Sequence, residues 1–261
     1  GGVLIGVRAL MRWDWQENGR VYRALRAVDT ATHPEHQGKG IFKKLTLQLV
    51  DAATQEGYDF IFNSPNTQST PGYLKMGWEV WGKMPLWIRP MFHFRSYDPA
   101  VFERYHQDLL QADLSAMPVS DASENGMRTV FSLAFFQWRY QQCPVKQYGL
   151  YRVSDLWIFF TVKERKQGKE LRICHIASAG DTDFPLLFRA ARQLAVSCGC
   201  RFISLAGLES LSTLIRLRNG YLDARRFSVT MTIRQLANAD LYQQMKTNIN
   251  WCLQNGDIEL F

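Results

Sequence analysis

A glycine-containing loop between a strand-like run and a helix-like run most constrains the fold of this chain. The loop, HPEHQGKGIF at residues 33–42, follows an apolar segment at residues 21–32 and leads into residues 41–56. One helical face of that last segment carries Ile41, Leu45, Leu49, Ala52 and Ala53. This spacing predicts an amphipathic helix, and Gly57 supplies its C-terminal stop. The order strand, loop, helix predicts an α/β fold.

The same loop has the composition of an anion site. A turn at the start of a helix gathers backbone N–H groups at the positive end of the helix dipole, which suits a phosphate. Gly38 and Gly40 let a ligand approach the backbone without obstruction by a Cβ atom. Neither GxxxxGK[ST] nor GxGxxG is present, so neither a P-loop nor a dinucleotide fold is indicated. Glycine turns also occur for purely steric reasons, and the loop alone leaves both interpretations open.

Further strands and a short helix are predicted on either side of the loop. Residues 3–13 and 21–32 are expected to form a hairpin, and residues 58–63 a short buried strand. A short helix over residues 67–76 and a strand pair over residues 78–89 should follow.

The net charge of +7 and the pI near 9.2 favour anionic partners such as a phosphorylated small molecule, a membrane surface or nucleic acid. The basic residues are scattered, and the densest group, at residues 163–169, alternates with Glu and Gln as in a solvated hairpin turn. Nucleic acid is therefore not expected as a partner.

The cysteines favour neither a disulfide framework nor a metal site, because they are odd in number and form no CxxC pair. They are Cys143, Cys174, Cys198, Cys200 and Cys252. Reduced thiols indicate a cytoplasmic protein. No apolar run approaches the ~20 residues needed to span a bilayer, and no signal peptide is recognised. The sequence opens on Gly1 rather than Met, so we expect its true start to be missing.

Two motifs in the first half resemble those of one enzyme family. Gln37, Gly40 and Phe42 occupy the key positions of the pattern Q/R-x-x-G-x-G/A, with Phe in place of the last Gly or Ala. Downstream, NTQSTPGYLKMGW at residues 66–78 is similar to N-x-x-A-x-x-F-Y-x-x-x-G-F. In this order, the motifs resemble those of the GNAT superfamily of acyl-coenzyme A dependent N-acyltransferases.

The resemblance implies a mixed central sheet in which the strands at residues 22–32 and 58–63 splay apart around the pantetheine arm of acetyl-CoA. Strand residues Thr30, Ala31 and Thr32 would pair with that arm. The diphosphate would bind the amides of Gln37, Gly38, Lys39, Gly40, Ile41 and Phe42, with the charge of Lys39 as a second contact. Asn66 and Ser69 are the remaining residues assigned to the coenzyme. No metal is implied.

The resemblance also implies a catalytic role for one residue, and nearness in sequence suggests a second. Tyr73 stands at the family position of the acid that protonates the leaving thiolate, and Asp29 is our choice of general base over Glu35 and Asn63. Other interpretations stay open, because Tyr73 could be a packed core aromatic and Asn66 only a turn cap. His33 is more typical of a structural or surface residue than of a base.

The second half repeats the order of elements in the first. Strands are predicted over residues 148–160, 172–179, 201–206 and 225–233, with helices over residues 184–197 and 209–218. Aligning KMGW of the first half with RNGY of the second brings the two series into register, as in tandem GNAT-like domains. We expect a catalytic domain at residues 1–95, a connection at 96–125 and a degenerate second copy at 126–261. In that copy SAGDTDF replaces HQGKGIF, and Asp181 and Asp183 would repel a diphosphate.

One aromatic segment and the end of the chain complete the predictions. FFQWRYQQCPVKQY at residues 135–148 resembles a segment of tandem GNAT-like proteins associated with bacterial surface polysaccharides, and it is interpreted either as a core helix or as an acceptor site. Residues 240–261 are predicted to form a helix and a tail.

The leading hypothesis is a bacterial, cytoplasmic N-acetyltransferase that moves an acetyl group from acetyl-CoA to the primary amine of a small molecule or glycan. Alternatives are an aminoacyl or acyl transferase acting on a cell-wall or polysaccharide precursor, and a non-catalytic scaffold in which Phe42 blocks the coenzyme. A monomer or a homodimer is expected.

Overall fold

The computed structural model describes residues 2–118, 126–208, 211–236 and 251–258 as an α/β protein with three sheets. The strands are β1 (Gly6–Arg12), β2 (Trp15–Glu17), β3 (Arg20–Tyr22), β4 (Ala24–Thr32), β5 (Phe60–Asn63), β6 (Glu79–Lys83), β7 (Trp87–Pro90), β8 (Arg128–Thr129), β9 (Gly149–Val153), β10 (Leu156–Lys163), β11 (Glu170–Ala177), β12 (Phe202–Leu205), β13 (Leu222–Asp223) and β14 (Thr230–Gln235). The helices are α1 (Ile41–Gln55), α2 (Thr70–Lys75), α3 (Pro99–Gln111), α4 (Leu133–Phe136), α5 (Phe184–Ser197), α6 (Thr213–Arg218) and α7 (Asn255–Ile258). These bounds confirm the predicted mixed α/β class.

The first sheet carries the predicted loop and has the order β1-β4-β5-β14-β6. β1 and β4 pair antiparallel, as the predicted hairpin requires, although the short strands β2 and β3 intervene in the sequence. β4 and β5 pair parallel, with α1 as the connection between them. The predicted helix over residues 41–56 is therefore confirmed to within one residue.

The apolar face of α1 packs on one side of this sheet. Val50 and Ala53 of the helix share a buried cluster with Leu25 and Ile61 of the two parallel strands, and α2 adds Tyr73. The opposite face of the sheet buries a second cluster rich in tryptophan, which includes Trp13 and Trp15.

The two strands predicted over residues 78–89 are present, but their pairing with each other is wrong, because they lie in different sheets. β6 pairs with β14 at the edge of the first sheet, whereas β7 pairs with β12 and β13 in the second. Adjacent strands in a sequence often pair, but here each pairs with strands from the distant half of the chain.

The second sheet has the order β13-β7-β12-β11-β10-β9 and repeats the pattern of the first. An antiparallel pair (β10 and β11) is followed by a parallel pair (β11 and β12) joined through α5. Each sheet then takes its next strand from the other half of the chain, β14 in the first and β7 in the second. This recurrence is consistent with tandem units, but the sheets do not follow the division predicted at residue 95.

Most second-half elements match their predictions, but the single strand predicted over residues 148–160 is wrong, because a turn at residues 154–155 divides it into the antiparallel strands β9 and β10. Helix α5 spans the predicted residues, and α6 begins at Thr213, with residues 209–210 outside the described part of the chain. The predicted strand over residues 225–233 is shorter, because residues 225–227 form a 3-10 turn. Asp223 causes this turn by accepting hydrogen bonds from the backbone N–H and the guanidinium of Arg225.

The C-terminal segment lies between the two large sheets. Arg26 of β4 donates to the carbonyl of Asp257 at 2.9 Å, and the Asn255 amide donates to the carbonyl of Ile173 in β11 at 2.8 Å. The predicted terminal helix falls partly on residues 240–250, outside the described residues, and α7 is a single short turn of helix. None of the described helices is long and apolar enough to cross a bilayer.

Candidate active site

The two parallel strands of the first sheet separate at their carboxyl ends. Residues 24–26 of β4 pair with residues 60–62 of β5, after which β5 ends at Asn63 while β4 continues to Thr32. The edge of β4 beyond Arg26 is thus open on the side of β5. Of the residues predicted to pair with pantetheine, Thr30 and Ala31 are exposed and Thr32 is half-buried.

A β-bulge at Asp29 changes the direction of β4 near its C-terminal end. Thr30 pairs with Arg8 and Val28 with Ala9, so the register leaves Asp29 without an opposing residue. Asp29 adopts φ +22°, which is unusual for a residue other than glycine. Bulges turn a strand and change the direction of its side chains. The exposed carboxylate of Asp29 therefore lies at the point where the two strands diverge.

The loop at residues 33–40 brings an uncapped helix start to the same opening. Gly38 and Gly40 have φ values of +74° and +75°, and no described atom lies within 4 Å of the position that a Cβ atom would take at either. The conformation, rather than packing, thus requires glycine here. Because the N-cap residue is Gly40, it offers no side chain to the first amides of α1. Gln37 donates to the carbonyl of Thr32 at 3.4 Å, and Lys39 is exposed.

Phe42 turns its ring away from the open side of the loop. The ring stands edge-on to that of Tyr73, with centroids 5.4 Å apart, and it lies 3.4 Å from where a Cβ atom would be at Gly72. Tyr73 is buried and also contacts Trp78 at 5.1 Å. The ring of Phe42 therefore packs onto α2, while Ile41 and the glycines keep their amides at the loop.

Asn66 and Ser69 interact with each other at the start of α2. The Asn66 side-chain oxygen accepts from the backbone N–H of Ser69 at 2.8 Å and from its hydroxyl at 2.9 Å. The Asn66 carbonyl accepts from Thr70. This arrangement is that of a turn cap, which was the structural interpretation of Asn66. A coenzyme contact by either residue stays a prediction.

Arg8 completes the site and was not among the predicted residues. Its guanidinium carbon lies 5.5 Å from the ring centroid of Tyr73 and 5.9 Å from that of Phe42, and its Nη1 donates to Thr30 Oγ1 at 2.5 Å. Burial lowers the pKa of Arg8, an effect that Tyr73 partly offsets. The alternation of β1 gives no signal for this position, because the side chain leans across β4 instead of standing over its own strand.

Comparison with known protein families gives a match for the part of the chain that carries this site. Residues 1–81 match the family model of the acetyltransferase (GNAT) domain. This first part of the chain is therefore similar to a GNAT domain. No curated protein matches the chain.

Solved structures extend the similarity of fold beyond the GNAT domain. A GCN5-related N-acetyltransferase from Anabaena variabilis is 15% identical with a TM-score of 0.57, over 88% of this chain and 59% of its own. One from Kribbella flavida is 13% identical with a TM-score of 0.55, over 90% and 59%. A probable N-acyltransferase from Enterococcus faecalis is 11% identical with a TM-score of 0.57, also over 90% and 59%. The chain thus spans about 60% of the length of these structures, and at such identities they show the fold alone.

In the second half, α5 occupies the place that α1 has in the first half. The N-terminus of α5 is capped by a side chain, whereas that of α1 is not. Asp183 is the N-cap of α5, and its carboxylate accepts from the backbone N–H of Leu186 at 2.9 Å. A carboxylate at this position repels an anion and occupies an amide that an anion would need. This geometry agrees with the prediction that the second copy binds no diphosphate, which stays a prediction.

The aromatic segment at residues 135–148 packs largely inside the second half, while its Phe135 and Trp138 contact Trp13 of the first half. It forms α4 and a π-helical turn at Gln137–Gln141, with Phe136 and Tyr140 buried. Buried Arg139 donates to the hydroxyl of Tyr148 at 2.9 Å and to the carbonyl of Gly256 at 3.3 Å. These contacts favour the core interpretation. Among the described residues, no cluster of His, Cys, Asp or Glu could hold a metal ion.

Proposed function

We propose that the GNAT domain transfers an acetyl group from acetyl-CoA directly to a primary amine. The observation that carries the proposal is the uncapped start of α1 beside the open edge of β4. An extended thiol arm can pair with that edge at residues 30–32 while a diphosphate accepts hydrogen bonds from the amides of residues 37–42. Exposed Lys39 adds a positive charge at the diphosphate end.

The chemistry needs a proton acceptor and a proton donor on either side of the thioester. In the proposal Asp29 takes a proton from the attacking ammonium group, so that the neutral amine forms a bond to the carbonyl carbon. The bond from that carbon to sulfur then breaks, Tyr73 protonates the leaving thiolate, and the nitrogen gives up its extra proton, which restores the hydroxyl of Tyr73. Asp29 is exposed at the bulge, and Tyr73 lies across the opening beside Arg8. An amide and the free thiol of coenzyme A are the products.

The acceptor is proposed to be an amine of a small molecule or glycan in the cytoplasm, acted on by a monomer or homodimer. Asn66 and Ser69 would hold the turn that carries Tyr73, or contact the coenzyme themselves.

Calorimetric titration with acetyl-CoA tests the proposal. We expect micromolar binding, equivalent to about 8 kcal/mol, that weakens at least tenfold in the double variant Gln37→Ala/Lys39→Ala. A matched control is Lys166→Ala/Gln167→Ala, which removes the same two residue types from an exposed turn of the second half.

The control should bind as the parent does, because it changes the net charge equally without touching the loop. If the parent binds no acetyl-CoA, the proposal fails and the scaffold alternative gains support. Equal weakening by both variants would mean that binding reflects net charge alone.

A further inference from the structure

Arg8 presents an unused pair of donors inside the candidate site. Its Nη1 donates to the carbonyl of Val28 at 2.8 Å and to the hydroxyl of Thr30 at 2.5 Å, which fixes the guanidinium across the β-bulge. On its other edge, Nε and Nη2 are buried and make no hydrogen bond of normal geometry among the described residues, although burial, which lowers the pKa of Arg8, is partly offset by a looser interaction with the side chain of Tyr73. These two N–H groups form the planar fork that donates to both oxygens, or to one shared oxygen, of a carboxylate.

The same fork binds carboxylates elsewhere in this chain. Nε and Nη2 of Arg12 both donate to Asp14, at 3.0 and 2.7 Å, and the same two atoms of Arg225 both donate to Asp223, at 2.8 and 2.6 Å. Within the described part of the chain, Arg8 is the only arginine in which both fork donors are buried and make no hydrogen bond of normal geometry.

A partly buried cation without a carboxylate is unfavourable unless an anion arrives from outside the chain. Removing a guanidinium from water costs free energy, and arginine does not escape that cost by losing its proton. No ion pair of Arg8 with an acidic side chain is present in the described residues. The rings of Phe42 and Tyr73 compensate in part, because a cation is attracted to an aromatic face.

The position of the fork identifies which reactant carries the anion. Arg8 contacts Thr30 and Tyr73, which lie at the end of the site where the proposed function puts the thioester carbonyl and the attacking amine. The proposed diphosphate contacts lie at the other end, on the amides of residues 37–42. The half-buried ring of Phe42 also borders the guanidinium, with its centroid 5.9 Å from the guanidinium carbon.

Resting on the proposed function, we propose that Arg8 determines specificity by binding a carboxylate carried by one of the two reactants. That carboxylate belongs either to a dicarboxylic acyl group on coenzyme A or to an α-amino acid that serves as the acceptor. The fork chemistry is the same in both cases, so the experiment has one arm for each source.

The first arm measures coenzyme binding by calorimetry with acetyl-CoA and succinyl-CoA as the probes. If the acyl group carries the carboxylate, the parent binds succinyl-CoA at least tenfold more tightly than acetyl-CoA, and Arg8→Gln brings the two affinities within twofold. The second arm measures thiol release from acetyl-CoA with a panel of α-amino acids and their carboxamides. If the acceptor carries the carboxylate, the parent prefers the acids at least tenfold, and Arg8→Gln removes that preference.

Two further variants separate specificity from folding. Arg8→Lys keeps the charge but lacks the fork, so it should lose most of the preference. Arg12→Gln, an exposed arginine of the same strand, should leave the preference unchanged. Binding of acetyl-CoA without a carboxylate preference in either arm overturns the role of Arg8 alone. Absence of acetyl-CoA binding in the parent overturns the proposed function and this inference with it.

Discussion

Tyr73 combines an apolar ring and a hydroxyl, and substitution can separate their contributions. In Tyr73→Phe the ring contacts with Phe42 and Trp78 remain, so the free energy of unfolding should change by less than about 1.5 kcal/mol. Loss of the proposed acid should slow thiol release by roughly 10²- to 10⁴-fold. The assay uses whichever amine the parent acetylates.

Tyr58→Phe is the matched control, because Tyr58 lies against the same buried cluster. Its rate should equal that of the parent. An unchanged rate in Tyr73→Phe would instead support the interpretation of Tyr73 as a core aromatic.

Substitution of Phe42 tests whether this side chain, which replaces the Gly or Ala of the loop pattern, blocks the coenzyme. Because its half-buried ring packs on Tyr73 and Gly72, we expect Phe42→Ala to lower the free energy of unfolding by roughly 1–3 kcal/mol. Chemical denaturation first measures the free energy of unfolding of the parent and the variant. Calorimetry should then show that both proteins bind acetyl-CoA. Binding that appears only in the variant would contradict this expectation and support the scaffold alternative.

At the scale of single residues, the sequence predicts correctly those positions that depend on local spacing. Gly38, Gly40 and Tyr73 lie on the predicted loop and helix because a glycine turn and a helical repeat fix them within a few residues. Arg8 could not be found in this way, since its contacts depend on a bulge at Asp29 and on rings that follow much later in the sequence.

Among the helices, α1 and α5 occupy equivalent places in the two sheets but begin differently. Gly40 leaves the start of α1 uncapped, whereas Asp183 caps α5. Asp183→Ala should therefore lower the free energy of unfolding by about 1 kcal/mol, as measured by chemical denaturation. Acetyl-CoA affinity should stay unchanged, because the coenzyme is proposed to use α1 alone. A change in affinity would indicate that the second half takes part in binding.

Both helices were predicted to within one residue because each carries its own amphipathic repeat and its own stop. Strand pairing is not local in this sense. The runs that became β6 and β7 are visible in the sequence, yet nothing within them indicates that their partners are β14 and β12.

For the whole molecule, Asp257 couples stability to pH at the junction of the two sheets. Burial raises the pKa of Asp257 to about 6, against hydrogen bonds from Gln254 and Thr129 that lower it. The folded protein thus keeps this proton up to about pH 6, whereas the unfolded chain releases it near pH 4. The contribution of Asp257 to the free energy of unfolding should fall as pH rises from about 4 to about 6.

Buried His175 acts in the opposite direction. Burial lowers its pKa to about 3, so only the unfolded chain takes up this proton below about pH 6.5, and stability falls as the pH falls. The two effects partly cancel in the parent. Asp257→Asn should make stability rise with pH between 4 and 6, in denaturant titrations at each pH. A parallel pH profile in parent and variant would contradict the raised pKa of Asp257.

The domain division predicted at residue 95 illustrates that the order of elements in the sequence does not determine which strands form which sheet. Repetition of elements indicates two similar sets of strands, and two sheets of similar pattern are present. Which strand completes which sheet depends on packing between distant segments.

The exchange of β7 and β14 has a consequence for synthesis of the protein. When the ribosome has made residues 1–95, the first sheet still lacks the strand that must lie between β5 and β6, and that strand ends at Gln235. Until β14 is made, the backbone N–H and C=O groups on the β6 side of β5 have no strand to pair with. The nascent chain can therefore form wrong strand pairs. The candidate catalytic sheet can therefore close only after nearly the whole described chain has left the ribosome.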